Sequence, residues 1–296
     1  MDKTVIGFIS EKGGVGKTTA CYHIAIALSR YYEKKVLVVD ADYQRGGITV
    51  RFIPSLMEDF KERKMKGVTL YHAYRALYSA TEIPEPNTVS TKFPNVDLLP
   101  SDPRLTEVSI DKLPGSNNIR ENNLRLLGHL SAIADSLNLI QDQYDYILID
   151  THPETSELLR SVIYACDYCV SPVKLDEQSS VGVPSAIEAV HGVNNDVITL
   201  QKTLGVPKDF EPIQFVGAIG MMAREYADEL KWTESVQYSR LKATCGIFKE
   251  YVTEGDGVRQ AAALRLPVFD ISGENAYKQS SQFRRLTKEF VGKCTC

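Results

Sequence analysis

The sequence predicts a doubly wound α/β fold, a mostly parallel sheet with helices on both faces. Three observations predict it. Short apolar runs recur along the chain without polar alternation, as strands covered on both faces require. Stretches of helical length separate them, which is the β-α-β pattern of a parallel sheet. A glycine-rich turn joins the first run to the first helical stretch, the context of a ligand site at the carboxyl ends of the strands.

Taken in order, Val5 to Ile9 is the first strand and Thr18 to about Tyr32 the first helix. Val36 to Val39 is a second strand, closed by Asp40-Ala41-Asp42. The polar, proline-containing stretch from Thr81 to Pro94 reads as a surface loop, and Val96 to Leu99 as a strand ending at Pro100. Asn122 to Leu139 is helical. Tyr146 to Ile149 is a strand ending in Asp150, and Tyr168-Cys169-Val170 another, before Ser171-Pro172-Val173. A long helix from Pro184 to Leu204 precedes a strand at Phe215 to Ile219. With no internal repeat and no low-complexity linker, a single domain over residues 1–296 is expected. The first strand begins at Thr4 or Val5, which leaves no room for an N-terminal helix-turn-helix.

Composition narrows the class. Of 296 residues, 43% are hydrophobic and 24% charged, enough for a sizeable core in a soluble protein. A net charge of -4 argues against a wholesale nucleic-acid binder and leaves room for a local basic patch. No apolar run approaches the roughly 18 residues of a membrane span, and the segment from Met1 to Ile9 has neither the length nor the cleavage site of a signal peptide. The six cysteines show no disulfide framework. A cytoplasmic protein is expected.

The turn Lys12-Gly13-Gly14-Val15-Gly16-Lys17-Thr18 carries the chemistry. Residues without side chains let backbone N–H groups converge on phosphate oxygens, and the helix that follows adds the positive end of its dipole. Lys17 is placed to reach the β- and γ-phosphates of ATP, and the Thr18 hydroxyl to ligate Mg²⁺. Glu11 stands where the standard pattern has glycine, and an additional lysine, Lys12, opens the motif.

Lys12 to Thr19 resembles the deviant Walker A box of the ParA/MinD family of P-loop ATPases. The resemblance implies that Lys12 reaches across an ATP-dependent homodimer to the nucleotide of the other subunit, as a trans arginine finger does in other NTPases. Gly13, Gly14, Val15, Gly16, Lys17, Thr18 and Thr19 then hold the phosphates. Asp40-Ala41-Asp42-Tyr43-Gln44 resembles the family's Asp-x-Asp-x-Gln stretch, which gives Asp42 the orientation of the attacking water. Tyr43 takes the place of the usual proline, Arg45 follows, and Asp40 is read as a structural acceptor for nearby amides. Ile147 to Asp150 resembles the Walker B strand, whose aspartate holds the Mg²⁺ shell, directly or through water, with Asp42 a further water-mediated candidate. In Asp150-Thr151-His152-Pro153, His152 replaces the family's first proline and is read as a loop residue. Ala261 to Val268 resembles the family's alanine-containing helix and Gly-x-Pro turn, with Arg265 in place of the glycine.

The kind of ATPase is argued from the remainder. Cys166 and Cys169 form a C-x-x-C, but one lies in an apolar strand and the other replaces a small residue, so packing is the reading. Phe283, Leu286 and Phe290 form a stripe expected to dock on the protein's own core, and the tail from Gly292 to Cys296 is too short and polar to bury in lipid. From Arg240 onward there are ten Lys/Arg against six Asp/Glu. Arg284, Arg285 and Lys288 are candidates to grip nonspecific DNA through its phosphates. The resemblance implies a ParA-type ATPase whose ATP-bound dimer sits on the nucleoid and positions a cargo, with hydrolysis stimulated by a ParB-like or other cargo-bound adaptor. A MinD-like membrane ATPase and a nucleotide-gated adaptor with negligible turnover are the alternatives.

Overall fold

The computed structural model describes residues 3–44, 46–206 and 210–294; Met1, Asp2, Arg45 of the aspartate loop and the Thr295-Cys296 end of the tail lie outside the described residues. In chain order, β1 (Thr4–Phe8) leads through the glycine turn into α1 (Lys17–Tyr32), followed by β2 (Val36–Ala41), α2 (Gly47–Phe52), α3 (Leu56–Lys61) and α4 (Leu70–Tyr78). Next come β3 (Val89–Ser90), β4 (Val96–Leu99), α5 (Ile119–Asn138), β5 (Tyr146–Thr151), α6 (Glu157–Tyr164) and β6 (Tyr168–Lys174). The remainder is α7 (Glu177–Ser180), α8 (Gly182–Leu204), β7 (Gln214–Met221), a hairpin of β8 (Glu225–Tyr226) and β9 (Glu229–Leu230), then α9 (Trp232–Thr244), α10 (Asp256–Leu264) and α11 (Glu274–Lys293).

Seven strands form one sheet in the order β3-β4-β2-β5-β1-β6-β7. Every pairing in it is parallel except that of β3 with β4. The period of two along each strand sends side chains to opposite faces. Ile6 and Phe8, Val36 and Val38, and Tyr146 and Leu148 join the core beneath α1 and α11. Val5 and Ile9, Leu37 and Val39, and Ile147 and Ile149 join the core beneath α4, α5, α6 and α8. Both faces are covered, so the strands read as continuous apolar runs.

The strands extend further than the apolar runs indicate. Asp40 lies inside β2, and Asp150 and Thr151 lie inside β5. The stretch from Thr81 to Pro94 is not loop throughout: β3 pairs antiparallel with β4, Val89 opposite Leu98 and Ser90 opposite Asp97. A tight turn brings it there. The Thr91 hydroxyl donates to the Val96 carbonyl at 2.8 Å, and Phe93 is buried against Tyr22 and Phe52. Two residues are too few to show a period.

The stripe of α11 docks on the protein's own core. Phe283, Leu286 and Phe290 are fully buried; Phe283 stacks on the His23 imidazole at 4.3 Å and Phe290 faces Phe8 at 6.0 Å. His23 itself donates from Nδ1 to the Thr19 carbonyl at 2.7 Å and accepts the Val268 N–H at Nε2 at 3.1 Å. It fastens α1 to the chain entering α11. No helix among the described residues is long and apolar enough to cross a membrane.

Arg265 ends α10 in the left-handed region at φ 54°, the conformation for which a glycine stands in the Gly-x-Pro turn. A Cβ there costs about 1–2 kcal/mol, partly offset by the entropy a glycine loses on folding. Arg265→Gly is therefore expected to stabilise the fold by up to about 1 kcal/mol, read as a higher midpoint in urea at unchanged slope. A lower midpoint contradicts the strain at this turn.

Candidate functional site

The carboxyl ends of β1, β2 and β5 meet at one cavity of about 440 Å³. Its lining includes Gly13, Gly14, Gly16, Lys17, Thr18 and Thr19 from the turn, Asp42, Gln44 and Gly47 from the loop after β2, Thr151, His152 and Pro153 from the loop after β5, and Met222 beyond β7. The turn takes this path because two of its residues need positive φ. Gly14 is at 74° and Gly16, which caps α1, at 98°, and a side chain in that region is strained. Val15 is buried and is not part of the lining.

Lys17 opens α1 and is buried, its ammonium donating to the carbonyls of Ser10 at 3.3 Å and Lys12 at 3.4 Å. Burial lowers its pKa, opposed by the charges of Asp150 and Asp42. The long contacts leave the ammonium on the floor of the loop, free to exchange carbonyls for phosphate oxygens. Lys12 is half-buried immediately before the glycines of the turn, and among the described residues its side chain has no ion-pair partner.

The two strand-end aspartates are fully buried and lie side by side, Asp40 opposite Asp150 in the β2–β5 register. Asp40 is a structural acceptor, as its position predicts. One oxygen takes the Asp42 N–H at 2.9 Å, the other the Thr49 N–H at 2.9 Å and its hydroxyl at 2.6 Å. Thr49 in turn accepts the Ser101 N–H at 2.9 Å, and the Ser101 hydroxyl donates to the Asp42 carbonyl at 2.8 Å. Burial, then the neighbouring Asp150 charge, pushes the Asp40 carboxyl up to about 8.

Asp150 differs. Neither of its oxygens has a hydrogen-bond partner of ordinary geometry among the described residues. Burial pushes its carboxyl up to about 7, while the Thr18 hydroxyl and the Lys17 ammonium pull the other way. A buried carboxylate with both oxygens unsatisfied, beside a helix-opening hydroxyl and a lysine, fits a hydrated divalent cation. Magnesium keeps most of its waters and needs one or two protein oxygens, and a cation supplies what the bare carboxylate lacks.

The loop after β5 is the part that sequence reasoning missed. His152 is buried, with Nδ1 at 3.0 Å from Asp42 Oδ1. The Tyr43 ring lies 4.8 Å from the imidazole, and its hydroxyl donates to Glu154 at 3.1 Å. Burial and Glu154 raise the Tyr43 phenol to about 12, so the hydroxyl remains a donor. Thr155 donates to Glu11 at 2.7 Å, and Ser156 caps α6 through the Leu159 N–H at 3.1 Å. The signal was available: Tyr43 and His152 both stand where the family resemblance implies proline, on two loops that meet at these two rings.

The predicted basic residues lie elsewhere. Arg284, Arg285 and Lys288 are all exposed on α11 and line a cleft with Tyr31 and Tyr32 at the end of α1. The 16 residues of α1 at ~1.5 Å each put this cleft about 24 Å from the phosphate turn. Arg285 is occupied by Glu250 at 2.8 Å, and Arg284 lies over the Tyr31 ring at 4.6 Å. Cys166 and Cys169 are buried, the Cys166 thiol donating to the Val162 carbonyl at 3.0 Å, in keeping with packing.

A cradle of amides, a buried lysine and an orphaned carboxylate at the end of a parallel strand suit a nucleoside triphosphate, and the fold around them is that of the P-loop ATPases. The chain belongs to the ParA/MinD family of these proteins, and the model of the AAA domain family matches residues 3–204. It is 23% identical over 290 residues to a ParA family protein of Mycoplasma pneumoniae, covering 97% of each chain. It is 28% identical over 198 residues to the virulence plasmid ParA family protein pGP5-D of Chlamydia psittaci, covering 65% of each, so it spans just under two thirds of that relative. Among solved structures, a Cyanothece McdA variant in complex with ATP superposes with a TM-score of 0.72 at 18% identity, over 99% of this chain and 98% of that one. Cobyrinic acid a,c-diamide synthase from Mycobacterium smegmatis, with bound ATP analog and magnesium, superposes at 0.66 and 17% identity, over 98% and 94%.

The raised carboxyls set a pH dependence. A carboxyl held at about 7 in the fold and near ~3.9 when unfolded binds more protons folded than unfolded between those values. Stability contributed by its neutral form is full at low pH and lost as pH rises toward 7. Asp150→Asn removes this loss. Ligand-free Asp150→Asn is expected to melt higher than wild type at pH 7.5, with the difference shrinking toward pH 5. A lower melting temperature at pH 7.5 contradicts an uncompensated carboxylate.

Proposed function

We propose that this chain is a ParA-type ATPase. ATP and Mg²⁺ bring two copies together as a sandwich dimer, the dimer holds nonspecific DNA, and a cargo-bound adaptor protein stimulates hydrolysis and release. The observation that carries the reading is Lys12: a half-buried cation immediately before the glycines that line the cavity, without an ion-pair partner among the described residues, in a turn that already has its own lysine in Lys17.

In this reading Gly13 to Thr19 hold the phosphates, and Thr18 and Asp150 hold Mg²⁺, which supplies neutralisation of the phosphate charge. Asp42 stands at the cavity wall. It orients a water whose oxygen bonds to the γ-phosphorus as the bond to the β–γ bridging oxygen breaks. ADP leaves with that oxygen, and the water proton passes to the phosphate or to solvent. The rate gain comes from positioning and charge stabilisation. Lys12 of each copy adds its charge to the other's γ-phosphate, where unpaired phosphates facing each other in a partly dehydrated interface cost several kcal/mol. The cleft of Arg284 and Lys288 would meet DNA phosphates at the far end of α1. The nucleotide then governs DNA binding by assembling two such clefts rather than by touching one. The DNA role is favoured over the membrane alternative because the apolar stripe of α11 is spent on the core.

Asp42→Ala is expected to retain ATP and to slow phosphate release by roughly 10² or more, accumulating as a dimer in sedimentation with ATP and Mg²⁺. That dimer should bind DNA-cellulose with a steep salt dependence. Adding Lys12→Ala should return it to monomers that no longer bind. A dimer as stable with Lys12→Ala as without it contradicts the trans role, and DNA affinity indifferent to nucleotide contradicts the dimer-built surface.

A further inference from the structure

We propose that His152 is a positioning residue for hydrolysis: its Nδ1–H fixes one oxygen of Asp42 so that the other faces the attacking water. The inference rests on the reading of Asp42 as the water-orienting carboxylate. Asp42 Oδ1 accepts twice, from the Gln44 N–H at 3.0 Å and from His152 Nδ1 at 3.0 Å. Oδ2 has no protein partner among the described residues, and the side chain lines the phosphate cavity. A carboxylate only accepts hydrogen bonds, so the ring nitrogen facing it carries the proton. With one oxygen held from two directions, rotation about the last side-chain bond is blocked, and Oδ2 keeps a single direction.

The ring is itself held. Tyr43 packs on it at 4.8 Å, and the Tyr43 hydroxyl reaches Glu154, which approaches Nε2 at 3.8 Å. Thr155 anchors the same loop to Glu11 ahead of the phosphate turn, and Pro153 lies against Gly13, 3.7 Å from where a Cβ would stand. Three loops are therefore tied into one wall, and the His152–Asp42 bond is the tie that reaches the reacting end. Two facing prolines constrain loops through their own φ. Here a tyrosine and a histidine in tilted ring contact constrain them through side chains.

The test has one arm without nucleotide and one with it. In ligand-free protein with ¹⁵N-labelled histidine at pH 8, His152 should show a protonated Nδ1, and Asp42→Ala should release the ring to the mixed tautomers of a free imidazole. An unprotonated Nδ1, or a spectrum unmoved by Asp42→Ala, overturns the proposal. In steady-state hydrolysis, His152→Ala should lower kcat about tenfold or more with KM for Mg-ATP unchanged within about twofold, the pattern of a misplaced group. His152→Asn puts an amide donor where Nδ1 stands and should recover kcat to within about threefold of wild type. Wild-type kcat in His152→Ala, or no recovery in His152→Asn, overturns it. Undiminished turnover in Asp42→Ala is a separate result, and refutes the water-orienting role of Asp42 itself.

Discussion

The site depends on burying three ionisable groups in one small volume. The register of the parallel sheet sets Asp40 directly beside Asp150, both without solvent exposure, and the glycine turn brings Lys17 near Asp150. Two adjacent carboxylates out of water repel, and each is costly unless hydrogen-bonded or paired. The structure resolves the conflict unequally. Asp40 receives three hydrogen bonds through Thr49 and Asp42, whereas Asp150 receives none of ordinary geometry among the described residues. The unfavourable charge is thus concentrated on one side chain at the cavity, where a cation and a triphosphate would relieve it. Binding to the folded state alone then stabilises the fold by mass action.

That asymmetry organises the loops. The Asp40–Thr49–Ser101 chain fixes the backbone of Asp42 from behind, and His152 fixes its carboxylate from the side. Glu11, standing where a glycine would leave the turn unanchored, is joined to Thr155. The helices carry the consequence outward. His23 and Phe283 clamp α1 to α11 midway, so that the phosphate turn and the basic cleft occupy opposite ends of a rigid pair.

The sheet was legible in the sequence because strands buried on both faces read as apolar runs, and six of its seven strands follow from those runs. Their ends were not: Asp40 and Asp150 look like the residues that terminate a strand, yet backbone pairing continues through them. β3 was hidden because two residues show no period. The path of the turn was legible, since glycines between a strand and a helix supply the positive φ that Gly14 and Gly16 adopt. His152 was illegible in role, because its partner is 110 residues away and a loop histidine has no local pattern. Only the departure of Tyr43 and His152 from the prolines that the resemblance implies marked these two loops together. Arg265 is the converse: it stands where the resemblance has a glycine, and its backbone takes the left-handed conformation at φ 54°.

The central claim is that the turn from Lys12 to Thr19 is a phosphate site whose affinity depends on the buried Lys17 ammonium. Among the described residues Lys17 is the one lysine or arginine that lines the cavity, so no other would supply that charge to the β- and γ-phosphates. Calorimetric titration of Mg-ATP into Lys17→Ala, alongside wild type, tests it most directly. The account predicts that binding weakens by at least about 100-fold, roughly 2.7 kcal/mol or more. Affinity retained within about tenfold of wild type would contradict it.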